Sequence, residues 1–316
     1  MEETITLLAQ ETTHAPPESP LQRFLRNYLA SRIALCGSVL LIAIVLAAIF
    51  APWLAPQNPY DLSQVDILDA RLPPGAQASA NASMNNAHGS MTYLLGTDEQ
   101  GRDMLSAILY GLRISVTVGV ASTIVALAIG LVLGLIAGYA GGRVDAFIMR
   151  IADLQLAFPP ILVALILLAL MGPGIGKIIV ALIAVQWAYY ARTARGAALV
   201  ERQKEYIEAA RGLGLSSLRI AFRHLLPNCL PPVIAIAALQ IASAISLEAT
   251  LSFLGLGLPV TEPSLGLLIA NGFEYLLSGR YWISLFPGIA LVVTVVAINL
   301  VADQLRDVLN PRLQTQ

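Results

Sequence analysis

Two carboxylates, Asp153 and Glu248, sit in or beside long apolar runs, where an ionised group costs roughly several kcal/mol unless it is paired or wet. Each is therefore a functional candidate. Structural hydrogen bonding at a helix end or subunit interface is weighed ahead of lining a solute path or a gate. Glu99, Arg102 and Asp103 form a second charged group, expected to be a local external ion-pair network rather than a binding site. Gly172-Pro173-Gly174-Ile175-Gly176-Lys177 looks like a phosphate loop. It is one residue short before Gly-Lys, however, and has Ile178 where Ser or Thr is needed, so it reads as a turn. No nucleotide site is expected on this chain. Cys36 and Cys229 make no CxxC and are expected to be buried packing residues; His14, His88 and His224 have no Cys or His neighbour, so no metal site is expected. Neither HExxH nor GxSxG occurs, so an intramembrane enzyme lacks its usual groups.

The elements that must position these residues are membrane helices. The 316 residues are 57% hydrophobic and 12% charged, with a mean hydropathy of +0.72, too apolar for an ordinary water-soluble domain. A net charge of -1 gives no basic excess for a nucleic-acid partner. A span needs about 20 mostly apolar residues. Six such runs occur: Ile33–Trp53, Ile114–Tyr139, Ala146–Met171, Ile178–Ala191, Leu230–Leu256 and Trp282–Ala302. The fourth has a short apolar part, but Trp187, Tyr189 and Tyr190 are interfacial aromatics, and it can extend beyond Arg192. Residues 1–20 are polar and acidic, unlike a signal peptide, so the first run is expected to remain as a helix.

Of the 19 basic residues, Arg71, Arg102, Arg113, Lys177 and Arg280 fall on one side and the other 14 on the opposite side. The positive-inside rule then puts both termini in the cytoplasm. The chain divides into a tail 1–32, a first transmembrane helix 33–53, a periplasmic segment 54–113, a five-helix core 114–303 with a cytoplasmic loop 192–229, and a tail 304–316. The Leu72–Ser90 stretch is Pro-rich and small-polar and reads as a mobile loop, and Asn81-Ala82-Ser83 within it as a coincidental sequon. Gly130, Gly134 and Gly138 fall four apart, a small-residue stripe for close helix packing.

The loop 192–229 reads as helix, Gly-containing turn, helix, bounded by Pro227. Glu208-Ala209-Ala210 is followed after three residues by Gly214. Alanines let another surface approach closely, Glu208 offers a charge, and glycine permits a turn that costs other residues more. With the distal His224-Leu225-Leu226-Pro227, this resembles the EAAxxxG loop of ABC importer permeases. Leu95-Gly96-Thr97-Asp98, Gly101-Arg102-Asp103, Gly111, Arg113-Ile114-Ser115, Arg150, Asp153, Ala157-Phe158-Pro159, Glu248-Ala249, Leu251 to Gly257 and Asp303 to Asp307 narrow the resemblance to the dipeptide and oligopeptide permease family, second-permease type. It runs in order from about Tyr28 to Arg312. Asn310 before Pro311, where the family usually has Asp, and the long Leu72–Ser90 loop depart from it.

The resemblance implies an all-α, polytopic, type I permease fold with about six transmembrane helices in the bacterial inner membrane. It implies that Glu208, Ala209, Ala210, Arg211 and Gly214 form the coupling helix that receives an ATPase's movement. The implied partners are a homologous second permease, two ATP-binding subunits that use ATP and Mg, and a periplasmic or lipid-anchored solute-binding protein. Peptides are the implied cargo, with glutathione, nickel chelates or another small solute as alternatives. An ion-coupled secondary transporter would call for inverted repeats, and no convincing repeat is visible.

Overall fold

The computed structural model describes residues 20–309 apart from residue 62 and residues 80–90. His14, His88, the Asn81-Ala82-Ser83 sequon, Asn310 and Pro311 lie outside the described residues. A short helix α1 (Pro20–Leu29) leads into α2 (Arg32–Ile49), whose first turn is capped by Ser31 accepting from the Ala34 N–H; α3 (Ala51–Leu54) follows. A compact segment with one small hairpin, β1 (Ala76–Gln77) against β2 (Thr92–Tyr93), connects to α4 (Met104–Ala140). Then come α5 (Gly142–Ala157), α6 (Pro160–Met171), α7 (Ile175–Glu201), α8 (Glu205–Gly212), α9 (Ser217–Phe253), α10 (Leu265–Phe273) and α11 (Trp282–Leu309).

Five of these helices are long and apolar enough to cross a membrane, or six if the bent pair α5 and α6 makes one span. That pair corrects the third expected span. Ala146–Met171 is not one helix but two, bent by 91°. Pro159 and Pro160 cause the break: a residue before proline is pushed out of the helical region, and Phe158 is extended at φ -93, ψ 143. α4 starts ten residues before the expected Ile114. Its 37 residues span about 55 Å, more than a hydrocarbon core of about 30 Å, so helix and apolar run do not coincide. α7 does extend past Arg192, and the short α10 had no counterpart among the expected spans.

Pro227 is not a boundary either. The helix runs through it from Ser217 to Phe253, with a wider π turn at Ile220–Leu225 just before the prolines. Proline removes the N–H of an i→i−4 bond, and a locally rewound backbone plus a side chain can take up the freed carbonyls. One residue on, the Asn228 side-chain amide donates to the His224 carbonyl at 2.8 Å.

The stretch before α4 is less mobile than its composition implied. Gly75 and Ala78 bond to Tyr93 and Met91, so the Leu72–Ser79 half of the expected loop is part of an ordered structure. Cys229 is buried as expected, but Cys36 is exposed, because α2 packs by one face and turns the other outward.

The core lies where α4, α7 and α9 meet. Ala126 of α4, Tyr190 and Ala194 of α7, and Val233 and Ala237 of α9 form one buried cluster; Leu135, Ala198, Leu225 and Cys229 form the next toward α8. The glycine stripe permits the approach. A methyl on Gly134 would meet the Ala194 Cβ at 2.7 Å, and one on Gly138 the Ala198 Cβ at 2.6 Å. Gly134→Leu is accordingly expected to destabilise the chain by about 1–3 kcal/mol or to misassemble it. A lowered midpoint in a detergent thermal-unfolding scan checks this; an unchanged midpoint would show that the seam is not close-packed.

Candidate functional site

In α8 the residue spacing sorts the motif into two faces. Ile207 and Ala210, three apart, are buried with Ile220 against Tyr139 and Leu215. Glu208, Ala209 and Arg211 are exposed on the other side. The helix ends at Gly214, whose φ of +71 places it in the left-handed region, with the Leu215 N–H bonded to the Ala210 carbonyl and the Gly214 N–H to that of Arg211. That is the two-bond glycine cap that closes a helix and turns the chain back. Nothing lies within 4 Å of a Cβ built on Gly214, so backbone conformation alone demands glycine there.

Further contacts fix this loop to the ends of three long helices. The Arg211 guanidinium lies over the Tyr139 ring at 5.6 Å, and Arg202 donates to the Gly138 carbonyl at 2.9 Å, both at the end of α4. Tyr206 donates its hydroxyl to Glu201 at the end of α7, at 2.6 Å, and accepts from Asn228 of α9 at 3.0 Å. Burial, reinforced by Glu201, pushes the Tyr206 phenol up to about 12, so it stays a donor throughout the neutral range. Lys204 pairs with Glu201 at 2.6 Å. The outward surface then combines Glu208, Ala209 and Arg211 with the exposed side chains of Leu213, Leu218 and Phe222. Contiguous exposed apolar groups rimmed by charge mark a protein-binding surface.

The two carboxylates are in different places. Asp153 of α5 is ion-paired with Arg192 of α7, both mostly exposed, and Asp145, eight residues earlier on α5, takes Arg195 in a bidentate contact at 2.5 and 2.6 Å. Glu248 is fully buried: Ser115 of α4 donates to one oxygen and Ser252 to the other, each at 2.8 Å. The carboxyl thus links α4 to α9 by hydrogen bonds. The Glu99, Arg102 and Asp103 network takes another form. Arg102 is buried and pairs with Asp98 at 2.6 Å rather than with Glu99, while Asp103 caps α4 by accepting from Ser106. Both terminal nitrogens of Arg102 are buried without a hydrogen-bond partner.

Residues 130–315 match the family described as the binding-protein-dependent transport system inner membrane component, and residues 19–74 match the N-terminal TM domain of oligopeptide transport permease C. The chain belongs to the binding-protein-dependent transport permease family. It is similar to the dipeptide transport system permease protein DppC of Escherichia coli K12, 41% identical over 298 residues covering 94% of this chain and 95% of that one. It is also similar to the di/tripeptide transport system permease protein DppC of Pseudomonas aeruginosa UCBPP-PA14, 37% identical over 296 residues, 94% and 93% of the two chains. Among solved structures, an inward-facing form of the MetNI methionine ABC transporter superposes with a TM-score of 0.54 at 19% identity, over 66% of this chain and 98% of that one, which shows a shared fold.

The chain is therefore a multi-pass inner-membrane permease with the type I permease fold, a component that works with ATPase and other permease subunits. Sequence spacing found the α8 motif but not the permease residues that fasten it. Tyr139, Glu201, Arg202, Tyr206 and Asn228 lie outside the quoted pattern and come together only through folding. The one available signal was Tyr206 and Asn228, the single Tyr and the single Asn between Arg192 and Cys229. Replacing Glu248 by Leu is expected to leave Ser115 and Ser252 without their acceptor, at about 1–3 kcal/mol each, whereas Glu248→Gln keeps an acceptor. Thermal midpoints of the two variants in detergent should separate clearly, with Leu lower; equal midpoints would show that the carboxyl ties nothing.

Proposed function

We propose that this chain is the second permease subunit of a peptide importer and that α8 is its coupling helix. The observation that carries the proposal is the two-faced loop: one face of α8 is fixed to the ends of α4, α7 and α9, and the other is exposed with Glu208, Ala209, Arg211, Leu213, Leu218 and Phe222. The dipeptide and di/tripeptide permeases to which it is similar along nearly its whole length support peptides as the cargo.

The partners in this reading are a homologous permease forming a heterodimer, two ATP-binding subunits, and a periplasmic or lipid-anchored solute-binding protein. ATP and Mg are used by the ATP-binding subunits; the permease does no covalent chemistry. Nucleotide binding and hydrolysis displace α8, and because α8 is fastened to three packed helices the displacement rocks the core and opens a path alternately to each side. The basic residues Arg202, Lys204, Arg211, Arg219 and Arg223 in and around the loop support a cytoplasmic position for it and for both termini. The core 114–303 carries this movement, and the segment 54–113 faces the periplasm. Asp153 and Glu248 serve as structural ties rather than as a gate.

Gly214→Val places a β-branched residue at a left-handed position, at a cost on the order of 1–3 kcal/mol, and re-aims the end of α8. Gly212→Ala, where a Cβ meets nothing within 4 Å, is the control. In proteoliposomes holding the full complex, Gly214→Val is expected to lower dipeptide uptake at least severalfold while the complex still assembles, and Gly212→Ala to leave uptake near normal. Normal uptake with normal assembly in Gly214→Val would remove the coupling role, and copurification without ATPase subunits would remove the importer reading.

A further inference from the structure

α1 has a division of polarity that transport does not use. At 3.6 residues per turn Phe24, Leu25, Tyr28 and Leu29 share one side, Asn27 lies opposite Leu25 and Leu29, and Gln22 and Arg26 border them. Part of the apolar side is turned onto the protein: Phe24 stacks on Tyr28 at 6.2 Å, the Tyr28 hydroxyl meets Ser38 Oγ of α2 at 2.6 Å, and the Asn27 carbonyl accepts from Gln304 of α11 at 3.4 Å. The rest is not. Leu25, Leu29 and Ile33, four apart, are 46%, 55% and 67% exposed, and they continue into the outward side chains of Leu35 and Val39 on α2.

What covers this strip follows from where it lies. α2 is a candidate span, so its outward apolar surface faces lipid, and α1 ends two residues before α2 begins. A helix so placed lies at the level of the lipid headgroups. The exposed cation at the junction is Arg32, and neither Asp nor Glu occurs from Pro20 to Tyr60. An exposed apolar strip ending in a cation beside a membrane span suits a helix that lies in an anionic membrane surface.

We propose that α1 is an interfacial helix that lays Leu25, Leu29 and Ile33 into the acyl boundary, with the exposed Arg32 at the start of α2 meeting anionic lipid headgroups. Its assignment to the inner leaflet rests on the cytoplasmic position of the termini argued above. α1 would then fix the height of α2 and, through Gln304, the end of α11 against the membrane surface.

The test uses the assembled complex in nanodiscs, with Cys36 and Cys229 replaced by Ser and a nitroxide label at Leu25→Cys or Asn27→Cys. The label at 25 is expected to be relaxed more by oxygen than by a water-soluble nickel chelate, and the label at 27 the reverse. Changing the lipid from phosphatidylcholine alone to a mixture with phosphatidylglycerol should shift the label at 25 deeper. Arg32→Gln should lose that shift, and Arg32→Lys should keep it. A label at 25 that reads as water, or one shielded from both reagents by a covering protein, would overturn the interfacial placement; an unchanged depth with phosphatidylglycerol would overturn the headgroup contact. An impermeant thiol reagent should reach Asn27→Cys only in inside-out vesicles. Reaction in spheroplasts would overturn the inner leaflet and the orientation while leaving the depth result in force.

Discussion

The close contact between α4 and α7 is the constraint on which the other elements depend. Between lipid-exposed helices the hydrophobic effect offers little, so association rests on dispersion between backbones that come close. Gly130, Gly134 and Gly138 provide that closeness, each facing the α7 backbone or an alanine of it. Once joined, the two helices offer α9 a shared surface, filled by Ala126, Tyr190, Ala194, Val233 and Ala237. The seam also sets the cytoplasmic-loop geometry, because its last member, Gly138, is the residue whose carbonyl takes Arg202 immediately before α8.

That continuity limits what α8 can do. A helix held at Tyr139, Glu201 and Asn228 has little room to shift without taking α4, α7 and α9 along. Freedom lies elsewhere, at two breaks beside the core. Gly141 and Gly142 both have positive φ between α4 and α5, and Phe158-Pro159 separates α5 from α6 at nearly a right angle. The pairs Asp145–Arg195 and Asp153–Arg192 tether α5 to α7 across the first break. In this chain ion pairs join the parts that can swing, and close packing joins the parts that cannot.

Hydropathy made the apolar runs legible because lipid selects for them, and an expected span overlaps each of the five span-length helices and the bent α5–α6 pair. It misplaced the start of α4 because that helix continues into a polar segment, where Ser106, Tyr110 and Arg113 dilute the signal without ending the helix. Composition hid the α5–α6 bend, since both halves are apolar; the Pro pair carried the information. Pro227 misled in the opposite direction, because a π turn rewinds the backbone just before it and the helix continues. At the candidate site the motif residues were readable from spacing, and the fastening residues were not, since Tyr139 and Tyr206 are far apart in sequence and belong to no repeat.

The two ends of α4 are built on opposite principles. At its first turn Asp103 caps the helix, Gln57 donates through its amide side chain to Gln64 and accepts from the Asp103 N–H, and Trp282 of α11 donates to the Thr97 carbonyl, so three separate stretches of chain close over buried polar groups. Buried charge is costly when any partner is missing, and Arg102 keeps only its Asp98 contacts. Such a knot resists rearrangement, because every displacement breaks several hydrogen bonds away from water at once. At the last turn of α4 the polar contacts are few and shared with an exposed loop, and what holds the helix there is the packing of Gly138 on α7. In the coupling reading proposed above, a movement delivered to α8 therefore acts on α4 and α7 together, at the end of α4 away from the polar knot.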